Sequence, residues 1–453
     1  MKLRNKISFT NCVEGQNSIF FELGNKFLMY EKLSNTLHLG NLDEIEKLHK
    51  QIEDVHYNPV FEGITLKNKS AEKLENLLLN VTEKCDLKCD YCIYSGDYEG
   101  ERVNAGKDMG FDTARKAIDY FIQRSNNSNP LVGFYGGEPL NNFELIKEII
   151  EYAKKQHPNN NIVFSLTTNF VNVSEHLEFL VKNEVYANIS LDGPREMHDK
   201  HRRTKSGKPT FDKILNNLQI VESINPGYVK NHFGINGTYK DTQDFPRMVN
   251  YFIEQDKNFM GVRIGNAEKK GLKQKEEEPS IMQHVLDYAE TYADSILSGE
   301  KPPSVLRRLF DDGMKGVYVR SNKKLPPTLP LEGACSPGER KLFVDTEGAL
   351  FMCEKFGKKA PIGHVNNGIS KESVIKTIDD FTEIRNQYCT NGCWAQRLCT
   401  PCIQSAKDYS CNISVNGLAE SCSGFKTQVV LGISLYSLIT KENPDRLISY
   451  FKE

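Results

Sequence analysis

Between residues 73 and 280, short apolar runs alternate with longer stretches whose apolar positions recur at helical spacing. The runs at 76–82, 131–135, 162–168, 187–191, 230–239 and 261–265 have the length and the bounded ends of strands. The stretches at 112–124, 142–155, 174–183, 211–223 and 244–254 read as helices, several of them opening on Asp, Asn or Ser. Alternation of this kind predicts a parallel sheet with helices on its outside, curled by right-handed crossovers into a barrel or part-barrel. Ligand sites on such sheets gather at the C-terminal ends of the strands.

Ahead of this region, 18–23, 26–30 and 36–39 read as short strands, with Gly24-Asn25 as a hairpin turn, and 42–55 as a helix. Residues 1–72 are therefore expected to form a small α+β unit. It could pack on the barrel as an extension, or dock a peptide that adds a strand to its sheet edge. After the barrel, the mixed-charge run from Glu268 to Pro279 reads as a solvated loop or a basic rim for an acidic peptide. A helix is expected at 281–297. Pro302-Pro303 and Pro326-Pro327 then bracket a linker-like bridge, so 281–334 joins the barrel to a final unit at 335–453. That unit holds a hairpin around Gly348, a Cys-rich run, and a stretch from Gln428 to Phe451 that reads as a packing helix.

Composition narrows the picture. The 453 residues are 39% hydrophobic and 26% charged, with a formal charge of −2, as expected of a globular protein of two or three domains. That balance gives no global basic field for nucleic acid. No apolar run is long enough to span a bilayer, and Met1 to Lys6 lead into no signal-peptide core. The chain is expected to be cytoplasmic, with no membrane partner.

The twelve cysteines are clustered. Cys85, Cys89 and Cys92 follow the first barrel strand on one loop, and eight more lie between Cys335 and Cys422. Clustered cysteines in a chain without a secretory signal favour metal over disulfides. Three thiolates on a loop can hold three corners of a [4Fe–4S] cube and leave the fourth iron open; a zinc loop is the alternative. Other barrel strand ends carry Gly136-Gly137-Glu138-Pro139, Thr168-Asn169, and Ser190-Leu191-Asp192 followed by Arg202-Arg203. They supply close backbone approach, an acceptor for an ammonium, hydroxyl and amide partners for a ribose, and a guanidinium for a carboxylate. Those are the polar ends of S-adenosylmethionine (SAM). Cys335, Cys353, Cys389, Cys393, Cys399, Cys402, Cys411 and Cys422 are enough for two further clusters, or for two zinc sites. Cys12 is left over and is expected to be a small buried residue.

The Cys85-x3-Cys89-x2-Cys92 spacing, with Tyr91 before the last Cys, resembles the signature of radical SAM enzymes. Gly136-Gly137-Glu138-Pro139 looks like the family segment that binds the SAM amine. The resemblance covers about 73–265 and implies a partial (β/α)6 barrel. In it Cys85, Cys89 and Cys92 would hold the cluster that cleaves SAM. By motif position, Ser190 and Asp192 would serve the ribose or carboxylate, Arg202 or Arg203 the carboxylate, and Tyr91 with the backbone near Val262 and Ile264 the adenine. The C-terminal unit resembles the SPASM extension, with Gly348-x4-Cys353 as in that family and gaps of three and two in the Cys-rich run where the family tends to two and three. By order, Cys335 and Cys353 would share a cluster with Cys402 or Cys411, and Cys389, Cys393, Cys399 and Cys422 would hold an outer one. This implies three [4Fe–4S] clusters and SAM.

The overall layout, and Cys92 to Tyr98 after the cluster loop, resemble radical SAM maturases of ribosomally made, Cys-rich peptides of the sactipeptide and ranthipeptide kind. That implies thioether bonds between a peptide Cys sulfur and an acceptor carbon, a precursor peptide as partner, and an electron donor such as flavodoxin or ferredoxin. The alternatives are sulfatase-type oxidation of a protein Cys or Ser to formylglycine, and a non-catalytic metal-bound scaffold. No catalytic base is distinguished by spacing.

Overall fold

A computed structural model describes residues 12–63, 74–98, 100–267, 279–331, 338–357, 360–390, 392–408 and 412–452. Cys335, Cys411 and the charged run from Glu268 to Glu278 lie outside the described residues.

The central sheet has ten strands. Six are parallel neighbours: β6 (Asn76–Thr82), β7 (Leu131–Gly136), β8 (Val163–Thr168), β9 (Tyr186–Ser190), β10 (Phe233–Tyr239) and β11 (Gly261–Asn266). They form a parallel part-barrel, with helices between the strands. Alternation within each strand sets its two faces. Leu77, Leu79 and Val81 on β6, Phe164 and Leu166 on β8, and Ala187 and Ile189 on β9 are buried against the helical layer. Ser165, Thr167, Asn188 and Ser190 turn to the other face and line a cavity of about 810 Å³. The barrel is thus apolar outside and polar within, which suits an interior that holds a polar ligand.

The C-terminal hairpin extends this same sheet. β13 (Lys341–Val344) pairs parallel with β6, and β14 (Ala349–Phe351) pairs antiparallel with β13. Lys341 lies opposite Asn76 and Val344 opposite Leu79. The Cys85 loop therefore leaves β6 at one end of the barrel, while Cys353 follows β14 at the other.

The N-terminal sheet runs β1 (Val13–Glu14), β2 (Ser18–Leu23), β3 (Lys26–Glu31) and β4 (Thr36–Gly40), all antiparallel. Helix Leu42–Glu53 follows, closed at its start by an Asn41–Glu44 capping box. Phe20 and Met29 pack under this helix with Ile45 and Ile52, while Ile19, Phe21, Leu23, Leu28 and Tyr30 join the main core. Period-2 alternation thus gives this sheet two buried faces.

Two expected elements differ. The bridge after Pro303 is not a linker: helix Ser304–Tyr318 buries Leu306, Phe310, Met314 and Val317 at helical spacing. It meets the long helix Val415–Glu442, which begins well before Gln428 and carries Cys422. The two backbones touch, since a Cβ on Gly432 would lie 2.4 Å from the Gly313 oxygen. Residues 230–232 belong to a short helix, Tyr228–His232, and β10 starts at Phe233. Among the described residues no helix is long and apolar enough to cross a membrane.

Candidate active site

The loop after β6 is stitched to the segment after helix Arg195–His201. The Lys88 N–H donates to the Arg203 carbonyl at 2.8 Å and the Asp90 N–H to the His201 carbonyl at 3.3 Å. These bonds fix the backbone that carries Cys85, Cys89 and Cys92. Burial pushes the Cys85 thiol up to about 12 and Cys89 to about 11, and raises Cys92 as well. Such thiols stay neutral at pH 7 unless a metal takes the proton's place. Among the described residues no three thiols come within 4.8 Å of one another. A tetrahedral zinc with Zn–S of about 2.3 Å would hold its thiolates about 3.8 Å apart. The donor set therefore fits a cube better than a single ion.

Beside Cys89 lies a buried polar frame. Arg202 Nη1 sits 3.8 Å from Cys89 Sγ, and its Nε donates to Asp192 Oδ2 at 2.9 Å. Asp192 also accepts from the Tyr91 hydroxyl and, through Oδ1, from the Thr238 N–H at 2.8 Å. The Arg202 guanidinium lies 5.4 Å over the Tyr91 ring. Burial works against the Arg202 charge, but the Asp192 carboxylate offsets it and keeps the guanidinium cationic. Tyr91 and Asp192 thus hold the arginine rather than opening onto the cavity.

The glycines after β7 act on the protein's own backbone. Gly136 has φ 151°, and a Cβ there would lie 2.1 Å from the Thr82 oxygen. The Gly137 and Glu138 N–H groups donate to Thr82 and Lys84 carbonyls at 2.9 and 2.7 Å. This close approach locks the end of β7 to the start of the Cys loop. Glu138 is buried. Its carboxylate accepts from Thr168 Oγ1 at 2.8 Å, Asn169 N at 2.6 Å and Leu140 N at 3.2 Å. Burial raises its pKa to about 7 despite those bonds. Asn169 Nδ2 and Asn172 Nδ2 each donate to Asp86 at 2.7 Å, extending the frame to the Cys loop.

The expected SAM contacts fall into three sets. Ser190, Arg202, Val262 and Ile264 line the large cavity. Gly136 and Gly137 line a small adjoining recess with Tyr94 and Phe343. Tyr91, Glu138, Thr168, Asn169 and Asp192 stand behind these surfaces as supports. The cavity runs from Arg202, beside Cys89, to Lys341 and Glu354, beside Cys353.

In the C-terminal region, Cys389, Cys393, Cys399 and Cys422 act electrostatically on one another, and Cys353 faces Cys402. Around the first group lie buried donors without partners: Lys32 Nζ, Arg385 Nε and Nη1, and Trp394 Nε1. Lys32 comes from the turn between β3 and β4 of the N-terminal unit and faces Cys393. Arg385 lies one helical turn before Cys389 and interacts with it. Each orphaned donor costs about 1–3 kcal/mol in an apolar interior, so the site suits an acceptor-rich group such as a sulfide cluster. Cys12 departs from expectation. It is exposed, because it sits at the edge of the N-terminal sheet, on the rim of a cleft shared with Cys422. The sequence reading missed Lys32, Arg385, Asp86, Asp90 and His201; only the two aspartates, inside the Cys motif, had a local signal.

The family model of the radical SAM superfamily matches residues 79–249. An uncharacterized protein of Methanocaldococcus jannaschii is 28% identical over 302 residues, covering 66% of this chain and 91% of that one. A cysteine-type anaerobic sulfatase-maturating enzyme of Clostridium perfringens is 23% identical over 315 residues, covering 66% and 79%. A solved structure of native anSMEcpe with bound AdoMet and a Kp18Cys peptide superposes with a TM-score of 0.61 at 20% identity, covering 81% of this chain and 99% of that one. Residues 79–249 are a radical SAM domain, and the fold it belongs to extends over most of the chain.

Proposed function

We propose that this enzyme oxidatively modifies a ribosomally made, Cys-rich peptide, joining a Cys sulfur to an acceptor carbon in a thioether bond. The observation that carries this reading is a single cavity lined at one end by Arg202, which touches Cys89, and at the other by Glu354, which follows Cys353 in the chain. When bound, SAM and its cluster supply a hydrogen-abstracting deoxyadenosyl radical, and a cluster at the far end offers an exit for the second electron that an oxidation must lose. The chain's own residues hold and shield. Cys85, Cys89 and Cys92 would ligate the SAM-cleaving cluster. Arg202 would meet a carboxylate, Ser190 a ribose, and Val262 with Ile264 an adenine edge. Cys389, Cys393, Cys399 and Cys422 would ligate an outer cluster, and Cys353, Cys402 and, from outside the described residues, Cys335 or Cys411 an inner one. Strand β4 pairs only with β3 among the described strands, so its outer edge could accept an extended leader as a further strand.

A second reading, formylglycine formation on a protein Cys or Ser, is favoured by the similarity to a sulfatase-maturating enzyme. Anaerobic incubation of the reduced enzyme with SAM and a Cys-rich peptide encoded beside it separates the two. The thioether reading expects loss of about two hydrogens per bond and thiols closed to alkylation. An aldehyde that captures a hydrazide supports the second reading. Unchanged peptide alongside released deoxyadenosine would sink the first.

A further inference from the structure

Outside the cysteines, three ligand-type side chains converge at the ends of two neighbouring strands. His201 closes helix Arg195–His201, while Asp241 and Asp244 follow β10 into helix Asp244–Glu254. One ligand atom from each lies within 4.8 Å of the other two. His201 and Asp244 are more than nine-tenths buried, and both His201 Nε2 and Asp244 Oδ2 lack a hydrogen-bond partner. A buried ring nitrogen and a buried carboxylate oxygen left unpaired are costly in a protein that otherwise satisfies such groups.

The surroundings orient these atoms. His201 Nδ1 lies 2.9 Å from Asp90 Oδ2. A carboxylate on Nδ1 fixes the tautomer with the proton there and turns the Nε2 lone pair outward, as behind metal-bound histidines. Lys240 pairs with Asp90, Lys200 with Asp241 Oδ2, and Arg247 with Asp244 Oδ1. None of these cations reaches Asp244 Oδ2, which stays buried without a partner. One nitrogen and two carboxylate donors, with no sulfur, match a first-row divalent cation of the zinc or manganese type, with water completing the shell through the exposed Asp241.

We propose that His201, Asp241 and Asp244 form a divalent-cation site separate from the iron–sulfur ligands. The ion ties helix Arg195–His201 and the segment after β10 to the Cys loop, since Asp90, which holds His201, stands between Cys89 and Tyr91. Its role is to position that loop.

The test is a Mn2+ titration of the cluster-loaded enzyme, followed by loss of the free-ion EPR signal and checked by displacement with Zn2+. Wild type should take up one Mn2+ per chain, and Mn2+ should raise its melting temperature. Asp244→Asn and Asp241→Asn should weaken uptake at least tenfold and abolish the thermal shift, with iron content unchanged as a control on folding. No uptake by wild type would overturn the proposal. Uptake equal in the variants would overturn it as well, because the ion would then be bound elsewhere.

Discussion

Two groups of half-buried thiols stand in this molecule, and their surroundings differ. Around Cys85, Cys89 and Cys92, nearly every polar atom of the adjoining frame is satisfied within the protein: Asp192 takes Tyr91, Arg202 and Thr238, and Glu138 takes Thr168, Asn169 and Leu140. Around Cys389, Cys393, Cys399 and Cys422, the buried donors Lys32 Nζ, Arg385 Nε and Nη1, and Trp394 Nε1 have no hydrogen-bond partner. In the first arrangement the carboxylates of Asp192 and Glu138 are paired within the protein, and it opens onto a large polar cavity. The second is incomplete by several hydrogen bonds. A site that must admit and release a small molecule is pre-organised by its own bonds. A site that permanently encloses an anionic cluster can leave its donors to that cluster.

The sharpest way to break this comparison is to remove one thiol from each group. Cys89→Ala is expected to abolish deoxyadenosine formation altogether. Cys399→Ala should lower iron by about four per chain, the content of one cube, and stop peptide modification while SAM cleavage persists. If Cys399→Ala also abolishes SAM cleavage, the two groups do not have separate roles.

A second prediction concerns titration, which the barrel frame has built in. Glu138 is raised to about 7, so the folded state keeps a proton that the unfolded chain releases near 4.5. Stability from this group falls as pH rises from 4.5 to 7, by up to about 3 kcal/mol. His198 is lowered by burial to about 4, so its contribution is lost as pH falls from 6.5 towards 4. Between 4.5 and 6.5 the two slopes oppose each other. Melting temperature should therefore change little with pH in wild type and rise with pH in Glu138→Gln. An unchanged pH profile in that variant would show that Glu138 is already ionised in the fold.

Two smaller effects bear on the C-terminal group. Lys32→Met removes a buried cation facing Cys393 and should make reduction of the outer cluster less favourable by about tenfold, or about 59 mV for one electron. Potentiometric EPR reads this directly, and an unchanged potential would mean that Lys32 is neutral or remote. Glu14→Ala breaks the half-exposed Lys426–Glu14 pair at the edge of the same region. Its cost in thermal unfolding should stay below about 1 kcal/mol.

The barrel was legible in the sequence because each of its strands is bounded by turns and alternates between a helix-facing and a cavity-facing side. Phe164-Ser165-Leu166-Thr167 shows this even without neighbours. Helix Ser304–Tyr318 escaped reading because flanking prolines and the pairs Arg307-Arg308 and Asp311-Asp312 mask its apolar stripe, whose partner helix lies more than a hundred residues later. Gly136 and Gly137 were recognisable as places of close approach, but not that the approach is to Thr82 and Lys84.

By itself the sequence determined the three-thiol loop, its place at a strand end, and the polar lining of the barrel, since spacing and alternation are local and survive without a fold. Tertiary structure decided that a lysine from the turn after β3 lies beside the Cys389 group, and that Cys353 stands at the opposite end of the barrel from Cys85. Those relations depend on which buried surfaces meet across hundreds of residues. Such meetings follow from packing and sheet register, which no short stretch of chain encodes.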